Sequence, residues 1–191
     1  MSAPSTNLPD VAAVIAEFRR ALREPGPSAQ SGVLELLLGL HHNNALQWNR
    51  EDTTRRADAD DRAVADAKRD IDALNTTRHE FVEAIDAALS TVVDQSPLAP
   101  PTTESPGMVF DRLSVLVIRI ASTEDAARAN GVDRLHYAAR LPVLREQLAI
   151  LEAALEALFD DLRTGRKRFV PYRSLKLYGG PGASGGDSHP D

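Results

Sequence analysis

The 191-residue chain contains no cysteine, which removes disulfides and thiolate chemistry from consideration and suits a reducing compartment. Aromatic residues are 5% of the sequence, with a single tryptophan, while alanine and leucine abound; that balance favours helices over strands. No apolar stretch approaches the roughly 20 residues that span a bilayer, and the richest, "GVLELLLGL", is broken by Glu35. The opening "MSAPSTNLPD" has no basic segment leading into an apolar run, so it does not read as a secretion signal. These absences give the expectation of a cytoplasmic protein without membrane insertion.

Charge is scarce in one sign and uneven in place. The net charge is −6, yet Arg163 to Tyr178 holds six Lys and Arg and no acid; setting those six aside leaves −12 on the remainder. A broadly acidic chain lacks the basic face that nucleic-acid binding requires, so no nucleic-acid partner is expected. The basic segment suits contact with an anion or with the acidic body of its own fold.

What is present is helical periodicity. Asp10 is an N-cap for a helix to about Arg23, with Val11, Val14, Ile15, Phe18 and Leu22 on one face. After the breaker "EPGPSAQSG", a second helix covers about Gln30 to Ala57. A third runs from about Asp60 to Asp94, with a seam of Val64, Ala67, Ile71, Leu74, Arg78, Phe81, Ile85, Ala88 and Val92. Past the proline-rich "QSPLAPPTTESPG", Ser105-Pro106 starts a fourth helix that stops near Asn130-Gly131. A fifth runs from Val132-Asp133 to about Arg163 and tolerates Pro142 only with a kink or restart. The expected fold is an all-α antiparallel bundle of four to five helices, with a basic C-terminal arm. Residues 1–178 form one helical domain and 179–191 a disordered Gly-rich tail.

The inner faces turn polar. On the second helix the stripe Leu34, Leu37, Leu38 continues as His41, Asn44, Trp48, Asp52 and Arg55, with Glu51 beside it. On the third, Lys68, Asp72, Asn75 and His79 flank the seam and Arg78 interrupts it; on the fourth, Asp111 and Arg112 sit inside an apolar run. Buried charges persist only when paired or reached by water or ligand. The set therefore reads either as a structural network fixing helix register or as a polar pocket between helices. In the pocket reading, His41, Glu51 and Asp52 are the acid/base candidates. Asn44, Trp48, Arg55, Lys68, Asp72, Asn75, Arg78, Asp111 and Arg112 then line a site for a small anionic ligand, phosphorylated or carboxylated. Tyr172, Lys176 and Tyr178 of the arm complete it. The paired Glu-x-x-His motifs of helical di-iron sites are absent, so no metal ligands and no cofactor are assigned, and a metal-dependent enzyme stands as an alternative. The rival reading is a non-catalytic interaction or scaffold protein, with a homodimer compatible with both.

Four segments in order, "LHHNNALQWNREDTTRR", "KRDIDALNTTRHEFVEAID", "PGMVFDRLSVL" and "RKRFVPYRSLKLY", resemble a bacterial family named domain of unknown function 4254. The resemblance spans about Leu40 to Tyr178. It implies a helical protein whose characteristic residues are the pocket candidates just named. The chain departs from that pattern at Gly179, where Asn is expected, and at Ala45, where an aromatic is expected.

Overall fold

The structure, a computed structural model, describes residues 8–24, 31–54, 60–129 and 131–175. Among them lie five helices: α1 (Val11–Arg23), α2 (Val33–Thr54), α3 (Asp61–Val92), α4 (Pro106–Arg128) and α5 (Arg134–Arg163). The fold is all-α, and its only β-type pairing among the described residues is an isolated bridge between Pro101 and Arg168. Arg55, Lys176, Tyr178 and the Gly-rich tail lie outside the described residues, as do the expected ends of α2 at Ala57 and of α4 at Asn130.

Local chemistry sets the ends. The Asp10 and Asp60 carboxylates accept from the Ala13 and Ala63 amides at 2.8 and 2.6 Å, each satisfying an orphan donor of the first turn. Ser105 caps α4, and Pro106 starts it where no amide proton is needed. At the end of α5, Gly165 takes φ +67°, with hydrogen bonds from Gly165 N to Leu162 O and from Arg166 N to Asp161 O. That crossed pair is a Schellman motif, and glycine alone enters its left-handed position without strain. Helix α5 continues through Pro142 without interruption. The proline removes a donor from the Ala138 carbonyl, but both residues are exposed, so water replaces it.

Helices α2 and α3 pack antiparallel: Gly39 lies against Phe81, Asn43 Nδ2 donates to Leu74 O, and Arg50 pairs with Asp70. A Cβ on Gly39 would sit 2.5 Å from the Phe81 ring, so any larger residue there would have to displace that ring. Helices α4 and α5 form the second antiparallel pair, from Phe110 against Phe159 to Glu124 with Arg145. Helix α1 joins the pairs, placing Val14, Ile15 and Phe18 in a core shared with Leu37, Leu40, Ile85, Leu89, Phe110, Leu113, Leu155 and Phe159. Helix α5 packs on α4 and α1 but on neither α2 nor α3, which leaves an open trough above α4.

Candidate functional site

The first polar residues of the inner stripe of α2 stay in the core. His41 is 1% exposed, Asn43 and Asn44 4%, so the leucine stripe turns polar while still buried. The Asn44 Nδ2 donates to Asp111 Oδ1 at 2.9 Å and to Ser114 Oγ at 3.1 Å. Ser114 Oγ, which accepts from Asn44, also lies 2.9 Å from His41 Nδ1, a hydrogen bond that joins the serine and imidazole side chains. The His41 ring stacks on Phe18 at 4.4 Å between centroids. Desolvation lowers its pKa from 6.5 to about 4, with the Phe18 backbone carbonyl partly opposing and His42 adding to the shift. His41 is therefore neutral across the physiological range.

Arg78 closes the network from α3. Its Nε donates to Asp111 Oδ1 at 2.8 Å and its Nη2 to Asp111 Oδ2, a bidentate pair. The bond to Asp111 raises the Arg78 pKa against the desolvation that lowers it, with Glu51 and Tyr172 adding to the favourable field. Thus α2, α3 and α4 share one chain of contacts, His41–Ser114–Asn44–Asp111–Arg78. Three buried polar atoms in or beside it, His41 Nε2, Asn44 Oδ1 and Gln47 Oε1, have no hydrogen-bond partner among the described residues.

The open space lies on the α5 side of that network. One groove of about 780 Å³ is lined by Trp48, Glu51 and Asp52 of α2, Arg119 of α4, and Tyr137 and Arg140 of α5. The Arg119 guanidinium lies 6.0 Å from the Trp48 ring centre, and Arg140 lies 5.8 Å from that of Tyr137. A second groove of about 520 Å³ holds Arg78, Arg112, Leu116 and Arg119 on one side and Gln147 and Ile150 on the other. Arg119 borders both. No carboxylate is among the residues lining the second groove. Arg112 pairs with Glu104 and Arg78 with Asp111, while Arg119 has no ion pair among the described residues.

Of the residues singled out in the sequence, the structure brings together His41, Asn44, Asp111 and Arg78 in the network. It sets Trp48, Glu51, Asp52, Arg78 and Arg112 on the grooves. Lys68 and Asp72 are exposed on α3 and Asn75 is half-buried; none lines either groove. Tyr172 reaches α3, its hydroxyl 2.9 Å from His79 Nδ1. Sequence reasoning missed Ser114, Asn43, Arg119 and Tyr137, which stand on helices like ordinary surface or seam residues.

It also missed Asp86, which is 0% exposed. The Asp86 carboxylate accepts from the Gly107 amide at 2.7 Å and from the Tyr172 amide at 2.8 Å, holding both the start of α4 and the C-terminal arm. Burial raises its pKa, while bonds from Ser105, Tyr172 and Gly107 oppose the shift. A Cβ on Gly107 would lie 2.8 Å from Asp86 Oδ1 and from Val82 O, so glycine alone allows this contact. The arm is fastened as well by Phe169 N to Gln95 Oε1, just past the end of α3, and by Ser174 N to Glu83 on α3. Arg166 and Lys167 pair with Asp161 at the end of α5.

Among the described residues, no three His, Asp or Glu side chains gather as a metal site requires, and no helix is long and apolar enough to cross a membrane. The molecule is an all-α protein in which a buried polar network ties three helices beneath an arginine-bordered trough. Its sequence matches the model of the family described as "Protein of unknown function (DUF4254)" over residues 34–170, and the chain belongs to that family. No curated protein and no solved structure matches it.

Proposed function

We propose that the protein binds a small anionic molecule, phosphorylated or carboxylated, in the two linked grooves above α4. The observation that carries this reading is the bordering of one groove by Arg78, Arg112 and Arg119 with no carboxylate in its lining. Guanidinium groups at a partly desolvated surface suit phosphate or carboxylate oxygens. The adjoining groove offers Trp48 and Tyr137 to the remainder of the ligand, and Glu51 and Asp52 are placed there to accept hydrogen bonds or exchange protons. Asn44 and Asp111 act by fixing Arg78. His41 acts one step further back, by holding Ser114, rather than by touching the ligand.

The test is a thermal-shift and calorimetric titration of the full chain with pyrophosphate and citrate, repeated on the Arg112→Ala/Arg119→Ala variant. Both arginines are exposed, so the variant keeps the core. Anion-dependent stabilisation that falls at least several-fold in the variant supports the site. Equal stabilisation of both proteins, or none in either, overturns it. A second reading, a scaffold whose polar residues serve helix register alone, is favoured by the mutual hydrogen bonds that join His41, Ser114, Asn44, Asp111 and Arg78 across three helices. It predicts that second outcome.

A further inference from the structure

The groove bordered by Arg78, Arg112 and Arg119 has two unlike walls. All three cations come from α3 and α4, whereas α5 contributes Gln147, Ile150, Leu151 and Ala154, none of them charged. Val115 and Leu116 of α4 line the space as well. In the larger groove α5 adds Val143 and Leu144, and its one cation there, Arg140, lies by the Tyr137 ring. Val143, Gln147, Ile150 and Ala154 follow in steps of four, three and four, so they share one face of α5 over about 16 Å. Val143 is 55% and Ile150 63% exposed, and neither belongs to the core.

The charges show where an anionic group is best held. Arg78 pairs with Asp111 and Arg112 with Glu104, but Arg119 has no ion pair among the described residues. Its guanidinium stands where the grooves meet, 6.0 Å from the Trp48 ring centre. Of the two grooves, only the larger has acids in its lining, Glu51 and Asp52. An anion is therefore favoured in the smaller groove over the larger one. A compact, strongly hydrated anion would satisfy the arginines and leave the α5 wall in water. A ligand that covers both walls has an anionic head and an apolar body.

We infer that the ligand is an anionic amphiphile, a carboxylate or phosphate carried on a straight apolar chain. This inference rests on the anion-site reading above and narrows it. The head meets Arg119, with Arg112 and Arg78, in the smaller groove. The chain lies along Leu116, Ile150 and Leu151 and continues past Arg119 toward Val143 and Leu144. The exposed apolar residues of α5 are then one wall of a binding trough.

Calorimetric titration of the full chain with hexanoate, octanoate and decanoate, each below its micelle concentration, tests it. Decyl phosphate is compared with decanoate to identify the preferred head; decanol lacks the charge and citrate lacks the chain. Affinity is expected to rise about two- to fourfold for each added methylene, as partial or full burial gives. Decanol should bind at least about tenfold more weakly than decanoate. Val143→Ser/Ile150→Ser should remove most of the chain-length gain and leave the citrate response and far-UV spectrum unchanged, because both side chains lie outside the core. Arg112→Ala/Arg119→Ala should weaken decanoate and citrate alike. If citrate binding depends on the arginines but chain length adds nothing, the anion site stands and the amphiphile is overturned. Decanol matching decanoate, or a serine variant that keeps the full gain, overturns it too. If no anion depends on the arginines, both readings fall.

Discussion

His41 shows how one side chain ties stability to pH. The residue is histidine at the end of a leucine run, yet its ring is stacked on Phe18, held by Ser114 and kept neutral by burial. Its folded pKa of about 4 lies below the 6.5 of an exposed imidazole, so between those values the unfolded chain takes up a proton that the folded chain does not. The stability it contributes is complete above pH 6.5 and is lost as pH falls toward 4, by about 3 kcal/mol. Urea denaturation at a series of pH values checks this. The expected result is a fall for the native protein in that window and a much flatter profile for His41→Phe; identical slopes for the two would refute it. A polar residue at a core position was visible in the sequence, but its neutrality was not, because desolvation depends on what α1 and α4 place around the ring.

At the scale of the element, caps and periodicity made the helices legible. Asp10, Asp60 and Ser105 open α1, α3 and α4 as their types imply, and the start of α5 falls within two residues of the expected Val132-Asp133. The phase of α3 was less legible. Its expected seam ran through Phe81, Ile85 and Ala88; Ile85 is buried as expected, but the rest of the buried face at that end is Val82, Asp86 and Leu89. The arm and α4 cover the side on which Asp86 lies, so contacts remote in sequence selected the face. Pro142 carries a prediction at this scale. Helix α5 passes through it, so Pro142→Ala restores the donor to the Ala138 carbonyl without altering a buried contact. The gain should be about 1–3 kcal/mol. An unchanged or lowered melting temperature would show that the proline imposes no cost there.

For the whole molecule, the matched family region begins at residue 34 and so omits α1, while the core does not. Val11, Val14, Ile15 and Phe18 are each 3% exposed or less and reach α2, α4 and α5. At about 2 kcal/mol for each buried side chain, α1 accounts for roughly 8 kcal/mol of gross burial, on the scale of the net stability of a small domain. A chain beginning at residue 31 should therefore lose cooperative thermal unfolding and near-UV dichroism. A sharp transition at the full-length temperature would show that α2 to α5 suffice.

The sequence by itself determined the all-α class, the helices with the caps of α1, α3 and α4, and the presence of polar residues on the inner faces of α2 and α4 and of Arg78 on α3. Those properties are local: periodicity, propensity and capping act within a few residues of one another. Only the tertiary structure decided which polar residues meet. Asn44, Asp111 and Arg78 come from three helices, and Ser114 and Asp86 find their partners 73 and 86 residues away along the chain. It also decided that the free space lies beside the network, where α5 stands off from α2 and α3, and that Arg119 borders it. No spacing along a single helix encodes that gap, because it arises from how two antiparallel pairs are set against α1.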